Sequence, residues 1–88
     1  MSLRNQFVAR GPFHSTPIFM ASARGAVIED VDGNRFIDFA SGIGVVNVGH
    51  APPTVVKAVA EQAARCLHAG FNVTPYEGYV RLSQRLCE

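Results

Sequence analysis

Three histidines, His14, His50 and His68, are the first side chains in this sequence that could hold a metal or move a proton. They stand far apart in the chain, and no cysteine or carboxylate lies beside them at the short spacing that zinc sites use. We therefore predict that each histidine packs or forms a hydrogen bond, and we predict no metal site.

Four carboxylates, Glu29, Asp30, Asp32 and Asp38, lie close together in the sequence and could suggest acid–base catalysis. They surround a segment that reads as a β-hairpin, where aspartates commonly stabilise turns and where strand faces are solvated. Turn chemistry explains them without a catalytic pair, and residue order alone supports no Ser/His/Asp triad. We predict no catalytic residue in this chain.

The segment Gly42-Ile43-Gly44 follows a predicted strand and invites comparison with a dinucleotide-binding loop. That fingerprint needs a third glycine three residues after the second, and Asn47 occupies the place. A helix should also begin within the motif, whereas the next helix signal is Pro53. The sequence therefore argues against nucleotide binding.

Composition and charge narrow the function further. The formal net charge is +1 and the basic residues are scattered, which argues against a nucleic-acid partner. No apolar run approaches the roughly 18 residues of a membrane span, and we expect no signal peptide. Cys66 and Cys87 form no CxxC motif, so we predict free thiols and a cytoplasmic location. The hydrophobic content is 48% and the charged content only 17%. This balance favours a part of a larger structure, whose apolar surface packs against another domain or chain.

The first half of the chain predicts one short helix and one hairpin. Residues 3–10 could form the helix, and Pro17 with the small residues that follow predicts an irregular segment over residues 14–24. Residues 26–31 and 35–39 read as two strands joined by a turn at residues 32–34, because Gly and Asn tolerate positive φ.

Residues 40–50, ASGIGVVNVGH, combine three glycines with four branched aliphatic side chains. The glycines make a strand or helix unfavourable, and the apolar side chains make a solvated loop unfavourable. We predict a buried wall of a binding site or of a subunit interface.

Two amphipathic helices are predicted in the second half. Pro53 suits the first turn of a helix, and Val55, Val56 and Val59 begin an apolar stripe. Thr74 could cap the second helix with Pro75 in its first turn. That helix reaches Glu88 without a stop signal, so we expect the chain to be cut within a helix. The fold class is therefore an α+β fragment.

Three blocks of the sequence together resemble class III (ornithine/4-aminobutyrate-type) aminotransferases. They are GAVIEDVDGNRFIDFASGIGVVNVGH from Gly25, PPTVVKAVAEQ from Pro52 and HAGFNVTPYEGYVRL from His68, with a weaker match at Pro17-Ile18-Phe19. Their order and spacing are more specific than any block alone. Pro52 departs from the family pattern, which usually has a second histidine there.

The resemblance implies a fold-type-I, pyridoxal-phosphate-dependent enzyme that works as a homodimer. It has a large cofactor domain and a small domain built from both chain ends. Residues 1–24 would be an N-terminal helix and irregular leader, and residues 25–88 the N-terminal part of the small domain. The cofactor and its Schiff-base lysine would belong to the missing part. We expect Lys57, the single lysine, to be solvated on the polar face of its helix.

The resemblance also implies three substrate-binding residues, Ile43, Phe71 and Asn72, in an enzyme that moves the amino group of 4-aminobutyrate or a similar ω-amino acid to 2-oxoglutarate. Plain packing remains the alternative for Ile43 and Phe71. Two other functions stay open: an ornithine or acetylornithine aminotransferase, and a non-catalytic fragment that self-associates through Val45, Val46, Val48 and Phe71. The fragment alone is expected to be inactive and not to bind the cofactor covalently.

Overall fold

The computed structural model describes residues 1–88 and divides into two compact units, residues 1–52 and residues 53–88. The first unit holds helix α1 (Ser2–Phe7), strands β1 (Met20–Arg24), β2 (Val27–Asp30) and β3 (Arg35–Ile37), and the single turn α2 (Ser41–Gly44). The second unit holds helices α3 (Pro53–Arg65) and α4 (Glu77–Cys87). This confirms the α+β class, while the division at residue 24 and the place in a small domain stay predictions.

The strands form one antiparallel sheet in the order β1-β2-β3. The predicted hairpin is β2–β3, with Val27 paired to Ile37 and Glu29 to Arg35. Both strands are shorter than predicted. β3 ends at Ile37, and the carboxylate of the next residue, Asp38, accepts hydrogen bonds from the backbone N–H groups of Ala40 and Ser41 in the loop that follows.

The β2–β3 turn is built on Asp30, the one residue of the chain that is buried. Its carboxylate accepts hydrogen bonds from the backbone N–H groups of Asp32 at 3.0 Å and Asn34 at 2.8 Å, and from Asn34 Nδ2 at 3.0 Å. Gly33 has a φ of 84°, which a side chain would strain. The predicted turn chemistry is therefore confirmed at residues 30–34.

The prediction of an irregular segment over residues 14–24 is wrong for Met20–Arg24, which form β1. This strand pairs with β2 through Ala23 to Ile28 and Arg24 to Val27, with an irregularity between Met20 and Ser22. It is an edge strand whose small side chains are mostly exposed. Backbone pairing to β2 therefore overrides the weak strand preference of Ala and Ser.

Helix α1 ends at Phe7 and not at the predicted Arg10, because Val8 adopts an extended backbone. Its apolar residues Leu3 and Phe7 are 68% and 74% exposed, so no packing contact within this chain would stabilise a longer helix. A helix this short gains little from its own hydrogen bonds and depends on packing.

Helix α3 begins at Pro53, as predicted, and carries Lys57 on its exposed face. The predicted start of α4 is wrong. Thr74 lies in a turn in which its N–H bonds to Gly70 O at 2.9 Å, and the helix begins at Glu77 after an extended Tyr76. The N-cap position is Tyr76, two residues further along, so the Thr74 hydroxyl does not cap the helix.

No hydrophobic side chain is buried in either unit. Within the first unit only the paired strands contact each other, and within the second unit α3 and α4 make no contact with each other and keep their apolar residues exposed. No helix combines the length and the apolar character needed to cross a membrane.

Candidate functional site

The most organised cluster of polar groups lies where β3 ends, around the carboxylate of Asp38. Asp38 Oδ1 accepts hydrogen bonds from the backbone N–H groups of Ala40 at 3.0 Å and Ser41 at 2.9 Å. Asp38 Oδ2 lies 2.6 Å from His50 Nε2. Only 7% of the Asp38 side chain and 17% of the His50 side chain are exposed. One carboxylate therefore connects the two ends of the segment 39–49, which we call the apolar loop.

The backbone brings His50 to this position through a bridge to the β1–β2 turn. His50 N donates to Gly25 O at 2.8 Å, and Gly25 N donates to His50 O at 3.0 Å. Gly49 has a φ of 91°, and a Cβ there would lie 3.2 Å from both the Cα and the O of Gly25. Only glycine allows the two backbones to come this close.

The pKa of Asp38 is held below its ordinary value. The hydrogen bond from His50 is the largest cause, followed by the N–H of Ser41, while partial burial acts in the opposite direction. Hydrogen bonds to the charged form favour ionisation. Asp38 is therefore a fixed carboxylate acceptor and is poorly suited to donate a proton as a general acid near neutral pH.

The turn α2 begins at Ser41, three residues after Asp38, and has a left-handed backbone. The φ angles are 52° at Ser41, 62° at Gly42, 63° at Ile43 and 73° at Gly44. A left-handed β-branched residue such as Ile43 is rare, and each strained non-glycine residue costs about 1–3 kcal/mol. The N–H of Val45 bonds to Ser41 O at 2.8 Å and closes the turn. Residues 40–50, predicted to suit neither a strand nor a regular helix, thus contain one tight, strained turn.

Ile43, the first predicted substrate-binding residue, stands on this turn with 95% of its surface exposed. No side chain of the first unit covers it. The packing alternative therefore finds no support for Ile43 within this unit, and its pocket role stays a prediction.

Phe71 and Asn72, the other two predicted residues, lie in the second unit. The Phe71 ring packs on Tyr79 with centroids 4.2 Å apart and meets Tyr76 edge-on at 5.5 Å. Asn72 is exposed in the turn that precedes α4. The aromatic contacts give Phe71 a packing role, and a role in binding substrate stays a prediction for both residues.

Lys57 does not fit the Schiff base that the resemblance requires. Its side chain is 78% exposed, and its Nζ lies 3.8 Å from Glu61 Oε1 on the surface of α3. A lysine that attacks a carbonyl is usually desolvated or placed beside other cations. Lys57 therefore lacks the surroundings of a Schiff-base lysine, and the expectation that this chain does not bind the cofactor covalently stays a prediction.

The sequence predicts turn chemistry or a solvated strand face for Asp38, and packing or a hydrogen bond for His50, but it does not predict that the two side chains bond to each other. The hairpin register places Asp38 beside Ala26, where its N–H donates to Ala26 O at 2.8 Å. The return of His50 to Gly25 has no local signal apart from Gly49. A glycine directly before a histidine is compatible with such a close approach, but it does not indicate which residue the histidine approaches.

Comparison with curated proteins gives relatives along nearly the whole chain. A "Probable 4-aminobutyrate aminotransferase" of Bacillus subtilis is 46% identical over 84 residues, which are 96% of this chain and 19% of the relative. The 4-aminobutyrate aminotransferase of Mycobacterium bovis is 49% identical over 79 residues, 90% of this chain and 18% of the relative. The chain thus spans about a fifth of the length of these relatives.

Solved structures of aminotransferases also match this chain over most of its length. A transaminase from the marine bacterium Virgibacillus matches 97% of this chain and 21% of its own with a TM-score of 0.81 at 26% identity. The ornithine aminotransferase of Toxoplasma gondii matches 73% of this chain and 15% of its own with a TM-score of 0.67 at 30% identity. The profile of the family described as "Aminotransferase class-III" matches residues 8–88. The chain belongs to the class-III aminotransferases, a family of pyridoxal-phosphate-dependent transaminases.

Proposed function

We propose that this chain is the N-terminal part of an aminotransferase that moves the amino group of 4-aminobutyrate, or of a similar ω-amino acid, to 2-oxoglutarate. One observation carries the proposal: relatives named for 4-aminobutyrate are 46% and 49% identical over at least 90% of the chain. The intact enzyme would be a cytoplasmic homodimer, and the exposed thiols of Cys66 and Cys87 are consistent with a reducing compartment.

The chain's own contribution would be a wall of the substrate pocket. Ile43 presents an aliphatic surface on a turn whose strained backbone is held in place by the surrounding hydrogen bonds. Strained backbone is often found at ligand sites. Asn72 would add a polar group and Phe71 an aromatic one. The rest of the enzyme would hold pyridoxal phosphate, whose ring supplies the electron sink for the reaction when it is bound.

The exposed apolar surface supports dependence on the rest of the enzyme. Ile43, Val45 and Val48 are 95%, 73% and 80% exposed, and apolar side chains left open together mark an interface. This surface would meet the large domain and the second subunit. The chain alone would have neither a complete pocket nor a cofactor, and would be inactive.

The test measures kcat/KM of the intact enzyme with 2-oxoglutarate and either 4-aminobutyrate or ornithine. We expect 4-aminobutyrate to be preferred, because an aliphatic Ile43 offers no partner for the second amino group of ornithine. A preference for ornithine or acetylornithine would favour that alternative, which the likeness to the ornithine aminotransferase structure supports. An intact protein that transaminates no ω-amino acid would contradict the proposal and favour the non-catalytic, self-associating alternative.

Replacing Ile43 by Tyr tests the pocket role within the same assay. We expect kcat/KM for 4-aminobutyrate to fall about 10-fold or more, since a bulkier side chain displaces the substrate from its reactive position. Val31→Tyr is the matched control, because Val31 is 65% exposed on the hairpin turn and outside the apolar loop. Equal activities of the two variants would remove Ile43 from the pocket.

A further inference from the structure

Both ends of the apolar loop are attached to the same short turn between β1 and β2. At the beginning of the loop, Asp38 N donates to Ala26 O at 2.8 Å. At its end, His50 and the neighbouring Gly25 exchange two backbone hydrogen bonds of 2.8 and 3.0 Å. The loop therefore leaves and returns at one place, and its path depends on what holds these two ends together.

The side chains of Asp38 and His50 make that connection. Asp38 Oδ2 and His50 Nε2 are 2.6 Å apart, and Asp38 Oδ1 accepts from the N–H groups of Ala40 and Ser41. Both carboxylate oxygens are thus used for the loop. Charge-assisted hydrogen bonds of this kind are stronger than neutral ones, and both side chains are largely shielded from water.

The position of Ile43 depends on this arrangement. Because 95% of Ile43 is exposed, no side-chain packing in its unit fixes where it stands. Its place is set by the backbone of α2, whose first residue, Ser41, is held by Asp38. The left-handed backbone at Ser41 and Ile43 is strained and would relax once that hold is lost.

We propose that Asp38 and His50 are a pair of positioning residues that present Ile43 to the amino donor and so determine which ω-amino acid the enzyme prefers. This inference rests on the proposed function, because it takes Ile43 as part of the substrate pocket. The pair touches no reacting atom. Its effect passes through the backbone of α2, and a displacement of that wall weakens the fit of the correct substrate more than that of a poor one.

The experiment compares Asp38→Asn with Asp30→Asn in the intact holoenzyme. Asp30 is the matched control, since it also accepts two backbone N–H bonds on the same hairpin but lies at the opposite end, in the β2–β3 turn. We expect D38N to lower the ratio of kcat/KM for 4-aminobutyrate to kcat/KM for ornithine about 10-fold, the scale of selectivity that apolar pocket contacts supply. The change should lie mainly in KM for 4-aminobutyrate, and D30N should leave the ratio unchanged.

A second pair of variants separates positioning from simple loss of stability. His50→Gln keeps an N–H donor that can reach Asp38 Oδ2, whereas His50→Ala removes it. We expect H50Q to recover most of the selectivity that H50A loses. Equal selectivity losses in D38N and D30N, or no loss in D38N, would overturn the positioning pair while the transaminase function stands. A wild-type enzyme that transaminates no ω-amino acid would overturn the proposed function and this inference with it.

Discussion

At the scale of single residues, the carboxylate of Asp38 accepts three hydrogen bonds that its protonated form would weaken. Its pKa is therefore lowered, with His50 as the first cause and Ser41 as the second. A group whose pKa is lower in the folded chain contributes stability at higher pH. That contribution is present above the ordinary value of 3.8 and is lost as the pH falls through the lower, folded pKa.

Titration of the Asp38 carboxyl carbon by NMR checks this assignment. The midpoint should lie below 3.8. His50→Ala should move it back toward the ordinary value, but not fully, because Ala40 and Ser41 still donate. Asp30, whose pKa is lowered first by Asn34, is the internal control and should keep its midpoint in the variant. An Asp38 midpoint that His50→Ala leaves unchanged would contradict the assigned cause.

Predicting individual residues from sequence worked where the chemistry is local. The aspartates were correctly assigned to turns, since Asp30 and Asp38 bond to N–H groups two to four residues away. The bond between Asp38 and His50 could not be predicted, because it joins residues that only the return of the loop brings together.

At the scale of elements, the bridge between Gly25 and His50 depends on Gly49. A Cβ at Gly49 would lie 3.2 Å from the Gly25 backbone, whereas a Cβ at Gly33 would meet nothing within 4 Å. Both glycines have positive φ, at 91° and 84°. The two positions thus share backbone strain and differ in the close approach.

We therefore expect Gly49→Ala to destabilise the enzyme more than Gly33→Ala. Strain alone should cost each variant about 1 kcal/mol, and the clash should add about 1–3 kcal/mol for Gly49→Ala. Denaturant unfolding of the intact enzyme measures the difference. Equal losses would show that the bridge is not formed as described.

The elements themselves were predictable to different degrees. The hairpin β2–β3 follows from its turn residues and the start of α3 follows from a proline, and both signals act over a few residues. Strand β1 escaped prediction because its small residues pair through backbone alone. For the left-handed turn α2, the sequence predicts only that the segment suits neither a strand nor a helix. Its strained backbone is held by hydrogen-bond partners outside the turn, such as Asp38.

At the scale of the whole molecule, both units lack a buried apolar core. Hydrophobic burial is the dominant favourable term in folding, so the 88 residues alone have little to offset their conformational entropy. The resemblance explains this, because the chain spans about a fifth of its relatives. No residue of this sequence covers the apolar side chains, so the sequence alone does not predict what they contact.

We expect the 88-residue chain on its own to show no cooperative heat-absorption peak and to bind a dye specific for exposed apolar surface. The intact enzyme should show both a sharp transition and little dye binding. Scanning calorimetry and dye fluorescence make the comparison. A sharp two-state transition of the isolated chain would contradict its dependence on the rest of the enzyme.

The most direct test of the claim that this chain belongs to the enzyme without holding the cofactor's attachment point is an intact mass after incubation with one equivalent of pyridoxal phosphate and reduction with borohydride. Lys57→Arg, treated in parallel, corrects for reaction at the chain terminus. We predict a mass that stays near 9.5 kDa for both proteins, without a stoichiometric adduct. One cofactor adduct per chain on Lys57, absent from the Lys57→Arg variant, would contradict the claim.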